Sequence, residues 1–574
     1  MVEGTRLESG QTLIASREFE SLPLRQRRSG RPALRAVRFA AAAAFAIAAA
    51  GGVALAAALH PWTQPDTLRL NVLASPHSLN PLLNTNQEET ILGSLAFDGL
   101  VSADRDLRLV PELASEVPTI ANGGISRDGL TVTYKLRHGV TWHDGAPFTS
   151  ADVAFSFNLV VDPKTNVQSR LGYDEVAAVS TPDAYTVRFR LKRPYAPIVR
   201  TLFAPSGEPY RIVPKHLLEH STDINKDPFG SNPVGTGPYR FVKWQRGDRI
   251  EYAANERYWG GVPKIKKLIV RDINDLNTVG VQVRTHQLDL AAVDSATYNL
   301  LRAVPDIHVN LISQNAFVAL SINLKHPPLD DVRVRRALAK AIDRPTFVQR
   351  NTFGTAELAY ADLPWRYWSD RAPSHAENAY DPAGARALLD ESGWRAGADG
   401  IREKNGKRLE LELAESSGGV TTRNLDVQVQ SYLKAVGVGV TIKSVAANLF
   451  FAKAADGGVL ERGAFDLANV AWIAGIDPDD GFIYRCDQTP PNGSNYGGYC
   501  SPQMDALQAQ AMRTYDDRAR RAIYEKIETT ARRDVPWIFL YHPRTRIAAN
   551  VDLRRPAGNF VDRWWHAGEW RYEP

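Results

Sequence analysis

The 574-residue chain is 44% hydrophobic and 23% charged, with 41 glycines, 35 prolines and two cysteines. That is the composition of a folded protein of more than one domain, and it excludes a disordered, collagen-like or disulfide-dense scaffold. A net charge of +5 points towards nucleic acid only until it is located: residues 1–38 hold eight arginines against four glutamates, leaving 61 basic and 60 acidic side chains in the other 536 residues. The nearly neutral body has no basic footprint for a nucleic acid.

In chain order, the basic segment 1–38 leads into residues 39–59, twenty-one residues without a charge and dominated by alanine. Basic residues before an apolar stretch hold the N-terminus in the cytoplasm and send the rest of the chain outward. Alanine makes this a weak anchor, and Ala54-Leu55-Ala56 and Ala56-Ala57-Ala58 offer small-residue cleavage sites. A cleaved signal peptide and a retained signal anchor both stay open, with an extracytoplasmic location (periplasm or cell surface) in either case. Arg27-Arg28 lacks the hydrophobic continuation of a twin-arginine signal, and no cysteine follows the apolar stretch to carry a lipobox lipid.

The body alternates strands and helices. Apolar residues at every second position predict half-buried strands at Leu68–Leu70–Val72, Leu130–Val132–Tyr134–Leu136, Tyr185–Val187–Phe189–Leu191, Leu409–Leu411–Leu413 and Val436–Val438–Val440–Ile442. Val334, Leu338, Ala341 and Ile342 fall on one face of a helix, with Arg333, Arg335, Arg336 and Lys340 on the others. Asp381-Pro382 and Ser501-Pro502 each read as an N-cap followed by proline at the first helical position, and Gly393 ends the first of these helices. Cys486 and Cys500 bracket a Gly/Asn/Pro-rich loop, and an oxidising compartment would pair them.

Catalytic and metal motifs fail on inspection. His216 and His220 have the spacing of two ligands on one helix, but no acid follows His216 and they read as surface histidines. Asp477-Pro478-Asp479-Asp480-Gly481 breaks the calcium-loop spacing, and Gly235-Thr236-Gly237-Pro238-Tyr239 lacks the Lys-Ser/Thr of a phosphate loop. Gly235 and Gly237 are expected to supply unusual backbone angles, and His143-Asp144-Gly145 a turn. No nucleophile elbow is present. The expectation is a non-enzyme without cofactor or metal.

Four stretches carry a resemblance. They are Asp128–Gly145 (DGLTVTYKLRHGVTWHDG) with Pro147-Phe148-Thr149 and Asp152-Val153; Pro233–Tyr239 with Asn255–Gly261 (NERYWGG); Asn323 with Pro327–Arg335 and Ala341-Ile342-Asp343-Arg344; and Tyr380-Asp381-Pro382 with Ala387-Leu388-Leu389 and Gly393-Trp394. In this order they resemble the family 5 extracellular solute-binding proteins, the oligopeptide/dipeptide/nickel-type receptors of ABC importers. The resemblance implies an α/β, two-lobed periplasmic-binding-protein-like fold (type II) with an extra inserted domain and a hinge between lobes. By that analogy 66–110, 230–313 and 544–574 form lobe I, 111–229 the inserted domain and 314–543 lobe II. It also implies a monomer that closes over a peptide or small solute and passes it to a membrane permease driven by an ATPase.

Peptide-binding relatives commonly carry Trp-x-x-Asp, whose carboxylate meets the ligand's α-ammonium. Here Trp472 is followed at that spacing by Gly475, with Asp477 two residues on. Either Asp477 substitutes or recognition of a free N-terminus is lost. Trp365, Tyr367 and Trp368, with Asn492, Asn495 and Tyr496 of the cysteine-bracketed loop, complete the candidate ligand-binding set, because flat amphipathic rings and amides suit extended polar chains. The competing reading keeps the fold without the transport role: a membrane-tethered sensor or scaffold, or a sugar/glycolipid-binding protein.

Overall fold

The computed structural model describes residues 58–205, 210–363, 375–473, 475–556, 558–559 and 562–574. All but the last two residues of the apolar segment 39–59 lie outside them, as do Trp365, Tyr367 and Trp368. Among the described residues no helix is long and apolar enough to cross a membrane.

Three sheets organise the chain. The largest has seven strands in the order Ile307–Ser313, Arg544–Asn550, Leu290–Ala292, Thr67–Val72, Lys267–Asp272, Arg249–Ala254 and Tyr239–Gln245. Thr67–Val72 lies at its centre, parallel to both neighbours, and Leu68 and Leu70 are fully buried. A strand enclosed on both sides needs the apolar alternation that the sequence shows. A second sheet runs Glu357–Leu358, Trp537–His542, Ala316–Ile322, Leu467–Ile473, Glu410–Ser416 and Gly439–Val445. The third is a three-stranded antiparallel sheet of Thr131–Lys135, Thr186–Leu191 and Val176–Asp183, where Tyr134 meets Phe189 edge to face at 6.1 Å.

The strand expected from Val436 begins instead at Gly439. The helix Val420–Lys434 runs up to this point, and Gly437 (φ +89°) turns the chain out of it; Val436 and Val438 are buried in the connection. Helix Val332–Ala341 forms as its periodicity requires, capped by the Asp331 side chain, with Ile342 buried just past its end. Arg335 departs from the expected solvent face. It is 6% exposed, and its guanidinium donates to the carbonyls of Leu329, Asp330, Asp534 and Val535. Two of those carbonyls end the helix Asp517–Asp534, whose C-terminal dipole favours a cation. Pro382–Glu391 and Pro502–Ala511 start on Asp381 and Ser501 side-chain caps, as their sequences indicate. His216 and His220 do not share a helix: the segment Lys215–Leu218 is only four residues long, and His216 Nε2 lies 2.8 Å from Asp144.

Gly235 and Gly237 act by closeness and not by unusual angles. Neither has a positive φ, whereas a Cβ on Gly235 would stand 1.7 Å from the Ala96 carbonyl oxygen. Two of the family-like motifs dock here. The His143 amide donates to the Gly235 carbonyl (2.8 Å), the Gly235 amide donates to His143 Nδ1 (3.1 Å), and Nε2 therefore carries the proton that reaches the Gly237 carbonyl (3.0 Å). Burial pushes the His143 pKa down to about 4, consistent with a neutral ring in this role.

Candidate functional site

The strands of the first sheet precede residue 314 or follow residue 543, and those of the second lie between them, so the chain crosses between the two sheets twice. At the first crossing Ile307–Ser313 passes into Ala316–Ile322, and at the second Trp537–His542 passes into Arg544–Asn550. The crossings lie side by side: the Gln314 amide donates to the Pro543 carbonyl (3.3 Å), and His542 Nδ1 meets the Ala316 carbonyl at 2.8 Å. A pair of short crossing strands concentrates rotation at a few backbone torsions, which is the construction of a hinge.

Beside the crossings is a cavity of about 180 Å³ lined by Leu73, Gln87, Glu88, Arg544, Arg546 and Arg563 among others. Glu88 and Arg563 form a buried bidentate pair (2.5 and 3.1 Å). Arg544 donates to the Thr355 carbonyl (2.6 Å) and pairs with Glu357 (3.6 Å), and Arg546 donates to the Val293 carbonyl (3.0 Å), so arginines outnumber carboxylates on the wall itself, although Glu357 stands behind Arg544. Burial lowers the pKa of Arg546, though not enough to discharge a guanidinium. The sequence signal for this wall was His-Pro-Arg-Thr-Arg following the apolar WIFLY, two arginines on alternate positions of a strand leaving a core.

The loop after Leu467–Ile473 approaches the same crossings. Asn315 Nδ2 donates to the Gly475 carbonyl at 2.5 Å, and the side chain of Ile473 is left exposed. Trp472 stacks on Phe482 (4.8 Å between ring centres, 29°). Asp477 is gripped from behind: Arg520 Nη1 and Nη2 donate to its two oxygens at 2.6 and 2.7 Å, and the side chains are 3% and 12% exposed. Burial works against the charge on Arg520, but the Asp477 carboxylate holds it above its ordinary pKa. The loop continues into a buried acidic group. Burial raises the pKa of Asp479 and of Asp480, and raises that of Asp362 to about 6. Gln508 donates to Asp480 (2.5 Å) and Tyr484 to Asp362 (3.0 Å), joining the loop to the segment just before residue 364.

Trp472, near the end of the strand Leu467–Ile473, and Asp477, in the loop that follows it, thus both lie near the crossings. Asn492, Asn495 and Tyr496 belong to the neighbouring loop, closed by the Cys486–Cys500 disulfide. Asn495 is 1% exposed and spends its amide inside that loop, on the carbonyls of Arg485 and Tyr499 and the amide of Tyr499. Asn492 donates within the loop to Asp487, and half-buried Tyr496 packs against the second sheet's core. Replacing both cysteines by serine is expected to cost about 3 kcal/mol by freeing this short loop in the unfolded chain. Urea titration checks it, and a loss well under 1 kcal/mol would show that the hydrogen bonds of Asn495 already fix the loop.

The two sides touch in several places. Ala103 and Leu107 enter one buried cluster with Phe317, Ile476, Tyr484 and Tyr524. The Ile476 amide donates to the Pro205 carbonyl (3.3 Å), the Ala196 amide to that of Met512 (2.7 Å), and Tyr515 to that of Gly129 (2.9 Å).

A model of the bacterial extracellular solute-binding proteins, family 5 (middle section), matches residues 108–494. "Protein XP55" of Streptomyces lividans is 30% identical over 480 residues, covering 83% of each chain. The oligopeptide-binding protein AppA of Bacillus subtilis is 26% identical over 518 residues, 88% of this chain and 92% of its own. The crystal structure of NikZ from Campylobacter jejuni in complex with Ni(L-His) is similar with a TM-score of 0.71 at 27% identity, covering 89% of this chain and all of that one.

Proposed function

Because the chain belongs to the family 5 bacterial extracellular solute-binding proteins and has their two-lobed fold, we propose that it captures peptides between its lobes and hands them to a membrane permease coupled to an ATPase. The observation that carries this is the pair of adjacent crossings at 314–315 and 543, with an arginine-rich cavity at their root. Lobe I is assigned to 66–110, 230–313 and 544–574, with 111–229 inserted, and lobe II to 314–543. Each large sheet draws its strands from one of these sets. The protein works outside the cytoplasm as a monomer, delivered there by residues 39–59.

The peptide lies along Trp472 and the loop 475–477, with Trp365 and Tyr367 as further contacts. Its carboxylate faces Arg544 and Arg546, because guanidinium groups lower the cost of bringing an anion into a cavity. Of the two alternatives for Asp477, the Arg520 pair favours the second: with both oxygens engaged, Asp477 has no lone charge to offer an α-ammonium. Relatives named for an oligopeptide and a nickel–histidine complex support the choice of small peptide-like solutes.

Native mass spectrometry of the purified protein, followed by calorimetry, tests the reading. The expected result is co-purifying peptide, with free and N-acetylated forms of it binding within about threefold of each other and the C-terminal amide binding about tenfold more weakly. A bound sugar or metal ion with no peptide would overturn the assignment. A large preference for the free N-terminus that vanishes in Asp477→Ala would restore the ammonium clamp.

A further inference from the structure

The two sides of the molecule bury their own side chains, with one exchange between them. Among the described residues, the two buried clusters built on the first sheet contain no buried residue from 314–543. The cluster around helix Val332–Ala341 contains none from outside that range. Only Ala103 and Leu107 enter a core of the opposite side, joining Phe317, Ile476, Tyr484 and Tyr524. Leu107 belongs to the tip of the hairpin formed by Val101–Ala103 and Leu109–Pro111, and it is 4% exposed.

Asp104 braces this tip from within. Its Oδ1 accepts from the Asp106 and Arg108 amides (2.8 and 2.9 Å), and its carbonyl accepts from the Leu107 amide (3.0 Å). Leu107 itself has φ +61°, a left-handed conformation that favours glycine or asparagine. The turn alone therefore gives no reason for leucine; what the side chain gains is its place in the opposite core. Backbone strain maintained by a neighbouring element is a mark of segments that switch.

The backbone of the tip is clipped as well. Arg200, 7% exposed, donates Nη1 to the Leu107 carbonyl (3.2 Å) and Nη2 to Asp517 at the start of helix Asp517–Asp534 (3.1 Å). Two residues before Asp517, the Tyr515 hydroxyl accepts from the Tyr195 amide (3.0 Å) and donates to the Gly129 carbonyl (2.9 Å). These contacts span a divide that the chain itself bridges only at 314–315 and 543. Rotation at the crossings has to draw Leu107 out of its socket.

We propose that the hairpin tip 104–108 is a latch on the closed arrangement, with Leu107 as its bolt and Arg200 clipping the tip to Asp517. Opening withdraws the leucine and breaks the clip together, so the latch sets how much of the empty protein stands open. This rests on two sides that rotate about the crossings, and it is independent of which solute is captured.

Single-molecule fluorescence transfer on the whole protein tests it, with dyes on Glu256→Cys and Asn424→Cys, two exposed positions on opposite sides. The protein is dialysed free of small solutes and none is added. Wild type is expected to show a dominant compact and a minor extended population. Leu107→Gly suits the φ +61° turn and removes only the bolt; it is expected to raise the extended-to-compact ratio about tenfold or more, as loss of a buried leucine requires. Leu107→Met keeps an apolar bolt and is expected to stay within about twofold of wild type. Asp517→Ala, at a side chain 60% exposed, is expected to raise the ratio about threefold, and it carries the test if the glycine variant misfolds. Two populations in wild type with an unchanged ratio in Leu107→Gly and Asp517→Ala would overturn the latch and leave the rotation standing. One invariant distance in every protein would overturn both.

Discussion

Arg520→Met is expected to destabilise the protein by about 3–5 kcal/mol, because it removes one partner of a buried pair and leaves the other charged. Among the described residues, Asp477 would keep only the Asp479 amide (3.0 Å) as a close donor. Behind it stand Asp479 and Asp480, where burial already favours the neutral acid and a freed negative charge makes matters worse. The loss does not measure the pair's own worth, since much of it is the cost of stranding a carboxylate. Arg520→Met combined with Asp477→Leu is therefore expected to recover most of the stability. Arg520→Lys should recover little, because an ammonium cannot also reach the Ala511 carbonyl, to which Arg520 Nε donates at 3.0 Å. Urea unfolding of the three variants checks the scheme; a single-variant loss below about 1 kcal/mol would mean that water reaches Asp477 and that the pair holds nothing.

Stability should fall as pH rises from about 6.5 to 8. Burial, helped by the hydrogen bond that protonated Asp426 donates to the neighbouring Glu415 carboxylate, pushes the pKa of Asp426 up to about 8; burial and the Asp362 charge do the same for Glu528. A carboxyl whose folded pKa lies above its unfolded value stabilises the fold fully below about pH 4, and that contribution is lost as pH climbs through the folded pKa. Each such group takes away about 1.4 kcal/mol per pH unit on the way. Histidines act oppositely. His143 and His542 are buried neutral, their pKa values lowered by burial, so their contribution grows with pH and is complete once the unfolded histidines lose their protons near 6.5. Above that point only the carboxyl slope is left. In Asp426→Asn the amide stays neutral, still faces Glu415, and needs no proton. Its stability curve should lie close to wild type near pH 4 and be flatter from there up to about pH 8 by about 1.4 kcal/mol per pH unit. Parallel curves from thermal or urea unfolding across this range would show that Asp426 ionises freely in the folded protein.

Period-two and period-3.6 patterns located the strands and helices because burial on one face leaves a local record in the sequence. The helix capped by Asp331 and the strand through Leu68 and Leu70 are cases where that record was complete. Tertiary uses of polar groups left no such record. Nothing in the run Asp-Asp-Arg-Ala-Arg-Arg marks Arg520 as the partner of a residue forty-three positions earlier. Arg335 looked like any solvent-facing arginine of an amphipathic helix, and its partners are the carbonyls at another helix's end. Gly235 was singled out correctly but for the wrong physical cause, since closeness to the Ala96 carbonyl depends on a segment more than a hundred residues away. In the candidate site, the sequence singled out the segment around Trp472 and Asp477 by its departure from Trp-x-x-Asp, whereas the arginine wall at the crossings required knowing which strands lie side by side.

The strand Arg544–Asn550 lies inside the first sheet, between Ile307–Ser313 and Leu290–Ala292, and Trp537–His542 lies inside the second, between Glu357–Leu358 and Ala316–Ile322. Neither sheet can close its interior until the ribosome has passed residue 550, on the order of a minute after initiation at ordinary synthesis rates. Until then both large sheets lack an interior strand. Under the proposed export, this topology leaves both sheets unfinished while the chain is still being made.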